Sequence, residues 1–130
     1  MIVYVETSAA AKLVFNEPET AALKVQLDDL SRGEIPLFSS VLLETELRRA
    51  ATREGAPQQV VTEVLDRLDI IDLDRSIYVV AGLLPGENLR SLDALHIAAA
   101  LRIGADLMVS YDERQLEGAR TVGLNTLSPA

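Results

Sequence analysis

The chain has 130 residues, of which 48% are hydrophobic and 25% charged, and its formal net charge is −8. This length predicts one domain over residues 1–130 with a single core, and no apolar run approaches the roughly 20 residues that span a bilayer. The lack of Cys excludes disulfides and thiolate zinc sites, and the N-terminus resembles no signal peptide, so the cytoplasm is the expected location.

The first half of the chain alternates strand-like and helical patterns. Residues 2–5 form a continuous apolar run, which is typical of a buried parallel strand, and residues 36–39 form a weaker strand candidate. Helices are predicted over residues 9–15 with Thr7 or Ser8 as cap, over 18–30 with Pro18 in the first turn and Gly33 as the stop, and over 41–53 with Ser40 as cap.

The second half repeats this alternation. Residues 107–109 are another continuous apolar run, residues 70–73 are a weaker strand candidate, and residues 122–124 are a candidate edge strand. Helices are predicted over residues 58–68 after the break at 55–57, over 75–84, and over 92–103 with Ser91 as cap and Gly104 just beyond the end. The pattern predicts an α/β fold with a mostly parallel central sheet of four or five strands flanked by helices.

Four acidic residues stand where the chain should hide apolar surface. They are Glu6 after the first strand, Glu46 on an apolar helix face, Asp93 at the start of an apolar helix, and Asp112 after strand 107–109. Ligands of parallel sheets bind beyond the carboxyl ends of the strands, where Glu6 and Asp112 fall. Carboxylates about 4 Å apart repel by roughly 4 kcal/mol at an effective dielectric of about 20. One divalent cation would neutralise such a group, so we expect a metal-dependent hydrolytic site.

Two glutamates compete for the inward position on the third predicted helix. At about 100° per residue, Glu46 projects between Leu42 and Leu43, whereas Glu44 falls beyond Leu47. Glu46 is therefore predicted to face inward.

Each acid also has a purely structural interpretation. Asp112 and Gln115 match a capping-box spacing, and Asp93 in a first turn complements the helix dipole. Glu6 can accept hydrogen bonds from the amides of the next helix, and Glu46 can pair with an arginine of its own helix. The placement of all four at compatible ends of one sheet favours a shared site.

Four short stretches carry the most specific pattern. They are residues 3–9 (VYVETSA), 44–50 (ETELRRA), 89–98 (LRSLDALHIA) and 109–112 (VSYD). In this order they resemble the motifs of the PIN-domain ribonucleases, and within that family the VapC-type toxins of bacterial type II toxin–antitoxin pairs. Any one string is weak, but four in order across almost the whole chain identify a member of the family.

The resemblance implies a PIN-like three-layer sandwich and an endoribonuclease that depends on Mg²⁺ or Mn²⁺. The residues it implies as metal ligands and catalytic groups are Glu6, Glu46, Asp93 and Asp112, with hydrogen-bonding support from Ser8 and Ser110. The metal would polarise a scissile phosphate and lower the pKa of a bound water, whose in-line attack leaves a 5′-phosphate and a 3′-hydroxyl. The motifs leave open whether Glu46 or Asp112 acts as a base or only as a ligand.

One position departs from the family pattern, because Glu6 stands where the family usually has Asp. The extra methylene moves the carboxylate by roughly one C–C bond, and a displacement near 1 Å can cost about a hundredfold in rate. The alternative reading is therefore a catalytically weakened PIN module that acts mainly by binding antitoxin or RNA.

The resemblance also implies partners. These are an RNA substrate, a cognate VapB-type antitoxin that blocks the acidic pocket, and a second toxin copy, which gives a homodimer and a toxin–antitoxin hetero-oligomer; no membrane is implied. Arg49 and Arg53 are candidate RNA contacts or else surface ion-pair partners. The apolar segment 77–84 is either core or interface.

Other interpretations are weaker. His96 is a candidate metal ligand or proton shuttle, but a packed core histidine is the favoured reading. A receiver-like signalling domain is disfavoured because Glu6 stands alone at its strand end and no Lys follows residue 24. A phosphate-binding NTPase is disfavoured because the chain has no Gly-rich loop ending in Lys-Ser or Lys-Thr.

Overall fold

The computed structural model describes all 130 residues, Met1–Ala130. Five strands and seven helices follow one another along the chain. The strands are β1 (Val3–Val5), β2 (Leu37–Ser40), β3 (Asp69–Ile71), β4 (Leu107–Val109) and β5 (Asn125–Leu127). The helices are α1 (Thr7–Val14), α2 (Thr20–Arg32), α3 (Val41–Glu54), α4 (Gln58–Leu65), α5 (Arg75–Leu83), α6 (Ser91–Arg102) and α7 (Glu113–Thr121). None of the helices is long and apolar enough to cross a membrane.

All five strands are parallel and form one sheet in the order β3-β2-β1-β4-β5. The first strand is central, with Val3 opposite Leu37 of β2 and opposite Leu107 of β4. The predicted α/β fold with a mostly parallel sheet is therefore confirmed, and the sheet is parallel throughout. The carboxyl ends of β1, β2 and β4 meet at the middle of one edge, as parallel pairing requires.

Helices cover both faces of the sheet and give the three layers. Val3 and Val5 point to one face, where they pack in the largest apolar cluster with side chains of α1, α2, α3 and α4. Tyr4 and Met108 point to the other face and pack against α6 and α7. A third cluster joins α5 to α6. This alternation explains why β1 reads as continuously apolar: both of its faces are buried.

Several predicted helix starts are wrong by one or two residues. The N-cap of α1 is Glu6 rather than Thr7 or Ser8, and the N-cap of α6 is Arg90 rather than Ser91. Helix α2 begins at Thr20, two residues after Pro18, because the Thr20 hydroxyl group accepts the N–H of Glu17 at 2.9 Å and fixes a turn before the helix.

At the other helix ends, some predicted boundaries agree with the structure and others do not. Ser40 is the N-cap of α3, as predicted, but its side chain makes no capping hydrogen bond. Gly33 follows the last residue of α2, as predicted. Helix α4 ends at Leu65 instead of residue 68, because the chain tightens there into a turn in which the Arg67 N–H bonds the Val64 carbonyl.

The C-terminal strand lies later than predicted. Residues 122–124 are not a strand, since α7 continues to Thr121 and Gly123 adopts a φ of +88° that turns the chain. Leu124 is buried, and the strand begins at Asn125, where it pairs with Leu107 of β4. Helix α7 itself was visible in the sequence only as the capping-box spacing that starts at Asp112.

Close packing of α7 on α6 depends on a glycine. A Cβ atom at Gly118 would lie 2.6 Å from Leu89 Cδ1 and 2.8 Å from Ile97 Cδ1, which is too close for carbon atoms in contact. Gly82 in α5 has nothing within 4 Å of the same position. The small residue therefore lets the middle of α7 pack closely on Ile97 of α6 and on Leu89 before it.

Candidate active site

Glu6 lies at the carboxyl end of the central strand and is only 6% exposed. Its Oε2 atom accepts three hydrogen bonds, from Ser8 N at 3.0 Å, Ser8 Oγ at 2.5 Å and Ser110 Oγ at 2.7 Å. Burial raises the pKa of Glu6, although the nearby His96 and the two serines lower it in part. Its Oε1 atom makes no hydrogen bond within the protein and is not fully enclosed, so it is the oxygen free for a ligand.

The two serines connect Glu6 to the loop between β4 and α7. Each gives its single hydroxyl proton to Glu6 and accepts a backbone N–H: Ser8 Oγ from Tyr111 at 2.8 Å, and Ser110 Oγ from Asp112 at 3.1 Å. The serines thus hold the loop that carries Asp112 against the end of β1. They lie where supporting residues of an acidic site were expected.

Glu46 points inward from α3, as the helical-wheel argument predicted, whereas Glu44 is exposed. Its Oε1 atom accepts hydrogen bonds from Thr7 Oγ1 at 2.6 Å and from His96 Nε2 at 2.7 Å. Burial alone would raise the pKa of Glu46, but the hydrogen bond and charge of His96 outweigh it and lower the pKa. The structural interpretation in which Glu46 pairs with an arginine of α3 is wrong, since Thr7 and His96 are its hydrogen-bond partners.

Asp93 and Asp112 form a repelling pair at the facing ends of α6 and α7. Burial raises the pKa of Asp93, and the negative charge of Asp112 raises it further. Asp112 is the N-cap of α7, where its Oδ1 accepts the N–H of Gln115 at 3.0 Å. The Gln115 side chain then donates to the backbone carbonyl of Asp93 at 3.0 Å, which ties the two helix starts together.

The capping interpretation of Asp112 is confirmed by that contact, yet a cap uses only one carboxylate oxygen. The other oxygen of Asp112 accepts no hydrogen bond from the protein, so it is available to a ligand. No three His, Cys, Asp or Glu side chains in the structure lie close enough together to hold one metal ion. The four acids therefore lie along one edge of the sheet, at β1, α3, α6 and α7, without closing on a single point.

His96 is buried, with 1% of its surface exposed, in agreement with the packed interpretation. Its Nδ1 atom lies 2.7 Å from the Tyr4 hydroxyl oxygen and its Nε2 atom lies 2.7 Å from Glu46 Oε1. From the sequence, Tyr4 was predicted only as a strand residue. A tyrosine in a strand buried on both faces needs a partner for its hydroxyl group, and this need is the sequence signal for the contact with His96.

The arginines of α3 differ from one another. Arg48 is engaged with Gln58 and Thr62 of α4 through its guanidinium group. Arg49 and Arg53 are exposed and make no hydrogen bond or ion pair. The interpretation of Arg49 and Arg53 as surface ion-pair partners is therefore wrong, and their interpretation as RNA contacts stays a prediction.

The PIN domain family model matches residues 3–120. The chain belongs to the PIN-domain family. This PIN domain is similar over almost its whole length to two curated proteins of Mycobacterium tuberculosis. It is 40% identical to ribonuclease VapC47 over 132 residues, covering 98% of this chain and 97% of that protein. It is 37% identical to ribonuclease VapC46 over 132 residues, covering 98% of each. The predicted resemblance to VapC-type proteins is confirmed.

Solved structures share the PIN fold at low identity. VapBC2 from Rickettsia felis, bound to a DNA fragment from its promoter, matches with a TM-score of 0.74 and 18% identity over 98% of each chain. VapC20 from Mycobacterium tuberculosis, a toxin that cleaves the sarcin-ricin loop, matches with a TM-score of 0.72 and 14% identity over 98% of this chain and 99% of that one. The PIN-like sandwich expected from the motifs is therefore confirmed.

Proposed function

We propose that this PIN domain is a metal-dependent endoribonuclease, the toxin of a toxin–antitoxin pair. The observation that carries the proposal is the placement of Asp93 and Asp112 at the starts of α6 and α7, which Gln115 ties together at the edge where Glu6 and Glu46 also lie. Burial and the negative charge of Asp112 both raise the pKa of Asp93. A fold that brings like charges together gains from a cation that neutralises them. Full-length similarity at about 40% identity to proteins named ribonuclease VapC supports the same reaction class.

The chemistry of the donors fits Mg²⁺ or Mn²⁺. All four candidate ligands offer carboxylate oxygens, which these hard cations prefer, and no thiolate is present. Glu6 keeps one oxygen without a protein partner, and Asp112 keeps one beyond its cap. We therefore propose Glu6, Glu46, Asp93 and Asp112 as the metal ligands, which requires their side chains to draw together from the positions described above.

When bound, such a cation would polarise the scissile phosphate and lower the pKa of a coordinated water. The residues of the chain position the ligands. Ser8 and Ser110 turn one oxygen of Glu6 inward, while Thr7 and His96 do the same for Glu46. The lowered pKa of Glu46 keeps it ionised at neutral pH, as a ligand or a base must be.

Binding of RNA would be local, because the chain as a whole is acidic. Arg49 and Arg53 lie on the same helix as Glu46 with their guanidinium groups free, so we assign them to RNA phosphates. Neither of two surface cavities, one beside Arg114 and one beside Tyr78, is lined by any of the four acids.

We also propose an antitoxin partner and self-association. Among the structural relatives, VapBC-1 from nontypeable Haemophilus influenzae matches with a TM-score of 0.67 and 18% identity over 98% of each chain. Segment 77–84 is partly core and partly surface: Ile77 and Ala81 are buried, whereas Tyr78, Val79 and Leu83 are exposed. The exposed face of α5 is the surface we assign to protein contacts. A toxin that cuts cellular RNA would act in the cytoplasm.

The weakened binding module gains no support from the contacts of Glu6. Three donors hold its carboxylate at the acidic edge in spite of the extra methylene, and one oxygen stays free. Exchange of Glu6 for Asp tests this point directly. A large gain in cleavage by Glu6→Asp would favour the weakened module after all.

The test of the proposed function is cleavage of a mixed pool of structured RNAs with Mg²⁺, with Mn²⁺ or with a chelator, followed by mapping of the product ends. We expect metal-dependent cuts that leave 5′-phosphates and that are lost in Asp93→Asn and Glu46→Gln. Glu44→Gln is the matched control, because it removes a neighbouring but exposed carboxylate of the same helix. Cuts that survive the chelator, or equal loss in both glutamate variants, would refute the proposal.

A further inference from the structure

A hydrogen-bonded chain runs from the end of β2 to the acidic edge and uses the single histidine of the sequence. The Tyr4 hydroxyl oxygen lies 3.0 Å from Ser40 Oγ and 2.7 Å from His96 Nδ1, and His96 Nε2 lies 2.7 Å from Glu46 Oε1. The four residues come from β2, β1, α6 and α3, so the chain of contacts joins helices that pack on different faces of the sheet.

The contacts at Glu46 determine where the imidazole proton lies. Thr7 has one hydroxyl proton and donates it to Glu46 Oε1 at 2.6 Å. An unprotonated Nε2 at 2.7 Å from the same carboxylate oxygen would place two lone pairs against each other, which is repulsive. Nε2 therefore carries a proton. Nδ1 faces the Tyr4 hydroxyl oxygen at 2.7 Å, and the Tyr4 hydroxyl group donates its own proton to Ser40 Oγ at 3.0 Å.

Burial excludes a direct catalytic role for this histidine. His96 is 1% exposed and Tyr4 is 0% exposed, so neither touches a substrate or exchanges protons with solvent. The ring is also fixed from the side, since it meets the Tyr4 ring edge-on with 5.7 Å between the centroids. What the ring can do is hold Glu46, whose side chain would otherwise be free to rotate on α3.

We infer that His96, locked in place by Tyr4, is a positioning residue that turns Glu46 Oε1 inward and presents Oε2 to the acidic site. This inference rests on the proposed function, because it gives Glu46 the role of ligand. Partners that orient a metal ligand typically contribute about 10- to 100-fold to metal affinity. Loss of the His96 contact is therefore expected to weaken metal binding by that factor without removing a ligand.

Two amide variants form the matched test. In His96→Gln the side-chain nitrogen reaches the position of Nε2, so it can still donate to Glu46, whereas the shorter side chain of His96→Asn reaches only the position of Nδ1. Both are polar, and both lose one of the two ring contacts. We expect the Mn²⁺ dissociation constant, measured on folded protein by the electron paramagnetic resonance of free Mn²⁺, to rise about 10- to 100-fold in His96→Asn and clearly less in His96→Gln.

Tyr4→Phe is the second variant, because it keeps the ring that packs in the core and removes only the hydroxyl group. It should weaken Mn²⁺ binding in the same direction, by less than His96→Asn does. Folded His96→Asn with wild-type Mn²⁺ affinity, or equal losses in the two amide variants, would overturn the inference. If the amide variants do not fold, wild-type affinity in Tyr4→Phe would overturn it.

The nitrogen NMR spectrum of the single imidazole separates this inference from the proposed function, because it needs neither metal nor RNA. A protonated Nε2 supports the contact, and an unprotonated Nε2 overturns it. If that spectrum is as expected but the wild-type protein neither binds Mn²⁺ nor cuts RNA, the proposed function fails and the His96 contact stands. If the wild type does both and the variants bind metal equally well, only the inference fails.

Discussion

Asp112 has two roles that substitution can separate. One oxygen caps α7 by accepting the N–H of Gln115, and the carboxylate charge raises the pKa of Asp93. Asp112→Asn keeps an oxygen that can accept the Gln115 N–H but removes the charge. Asp112→Ala removes both. The two variants therefore share the loss of the proposed ligand and differ in the cap.

The expected magnitudes follow from these contacts. Loss of an Asp cap to Ala costs about 1 kcal/mol, whereas Asn is as good a cap as Asp. The negative charge of Asp112 also interacts favourably with the dipole of α7, which stabilises the fold by about 0.3–1 kcal/mol. Asp112→Asn loses this stabilisation but also removes the repulsion between Asp112 and Asp93, so the two effects offset each other. We expect Asp112→Ala to be less stable than Asp112→Asn by about 1 kcal/mol, or about 3 °C in melting temperature for a domain of this size.

The assay combines thermal unfolding of the metal-free protein with RNA cleavage. Asp112→Asn should melt close to wild type, Asp112→Ala should melt lower, and both should lose about a hundredfold or more in cleavage rate. If Asp112→Asn cuts RNA like wild type, Asp112 is only a cap. If the two variants melt at the same temperature, the cap contributes nothing and the stability argument is wrong.

Three further predictions concern pH, packing and RNA. Because burial raises the pKa of Glu6, the folded chain binds the carboxyl proton more tightly than the unfolded chain, and the stability of the fold falls as pH rises above the ordinary carboxyl range. The melting temperature of metal-free Glu6→Gln should therefore rise relative to that of wild type between about pH 4 and pH 7. A difference in melting temperature that stays constant over this range would contradict the prediction. Gly118→Ala should lower the free energy of unfolding, measured in urea, by about 1–3 kcal/mol. Gly82→Ala has open space around the new methyl group and should raise it by about 0.5 kcal/mol. Equal effects of the two substitutions would refute the packing argument. Replacing both Arg49 and Arg53 with Gln should lower the slope of log RNA affinity against log salt by about 1.4 if each contacts one phosphate of a single strand, and an unchanged slope would remove them from the interface.

The sequence determined the local structure well wherever a pattern reports burial. The apolar runs of β1 and β4 predicted buried parallel strands because both faces of such a strand pack against helices. The helical wheel chose Glu46 over Glu44 for the same reason: one residue in each turn faces the core. Boundaries were less well predicted, and α7 was missed as a helix, because a cap such as Glu6 or a turn such as Gly123 depends on single hydrogen bonds and φ values.

Only the tertiary structure decided which side chains meet at the acidic edge. His96 contacts Tyr4 across 92 positions of sequence and Glu46 across 50, and Ser110 reaches Glu6 across 104. Periodicity says which face of an element is buried but not which atoms of two buried faces touch, since that depends on how the helices sit on the sheet. Motif resemblance could identify the acids, whereas the residues that orient them became visible only when β1, α3 and α6 were packed together.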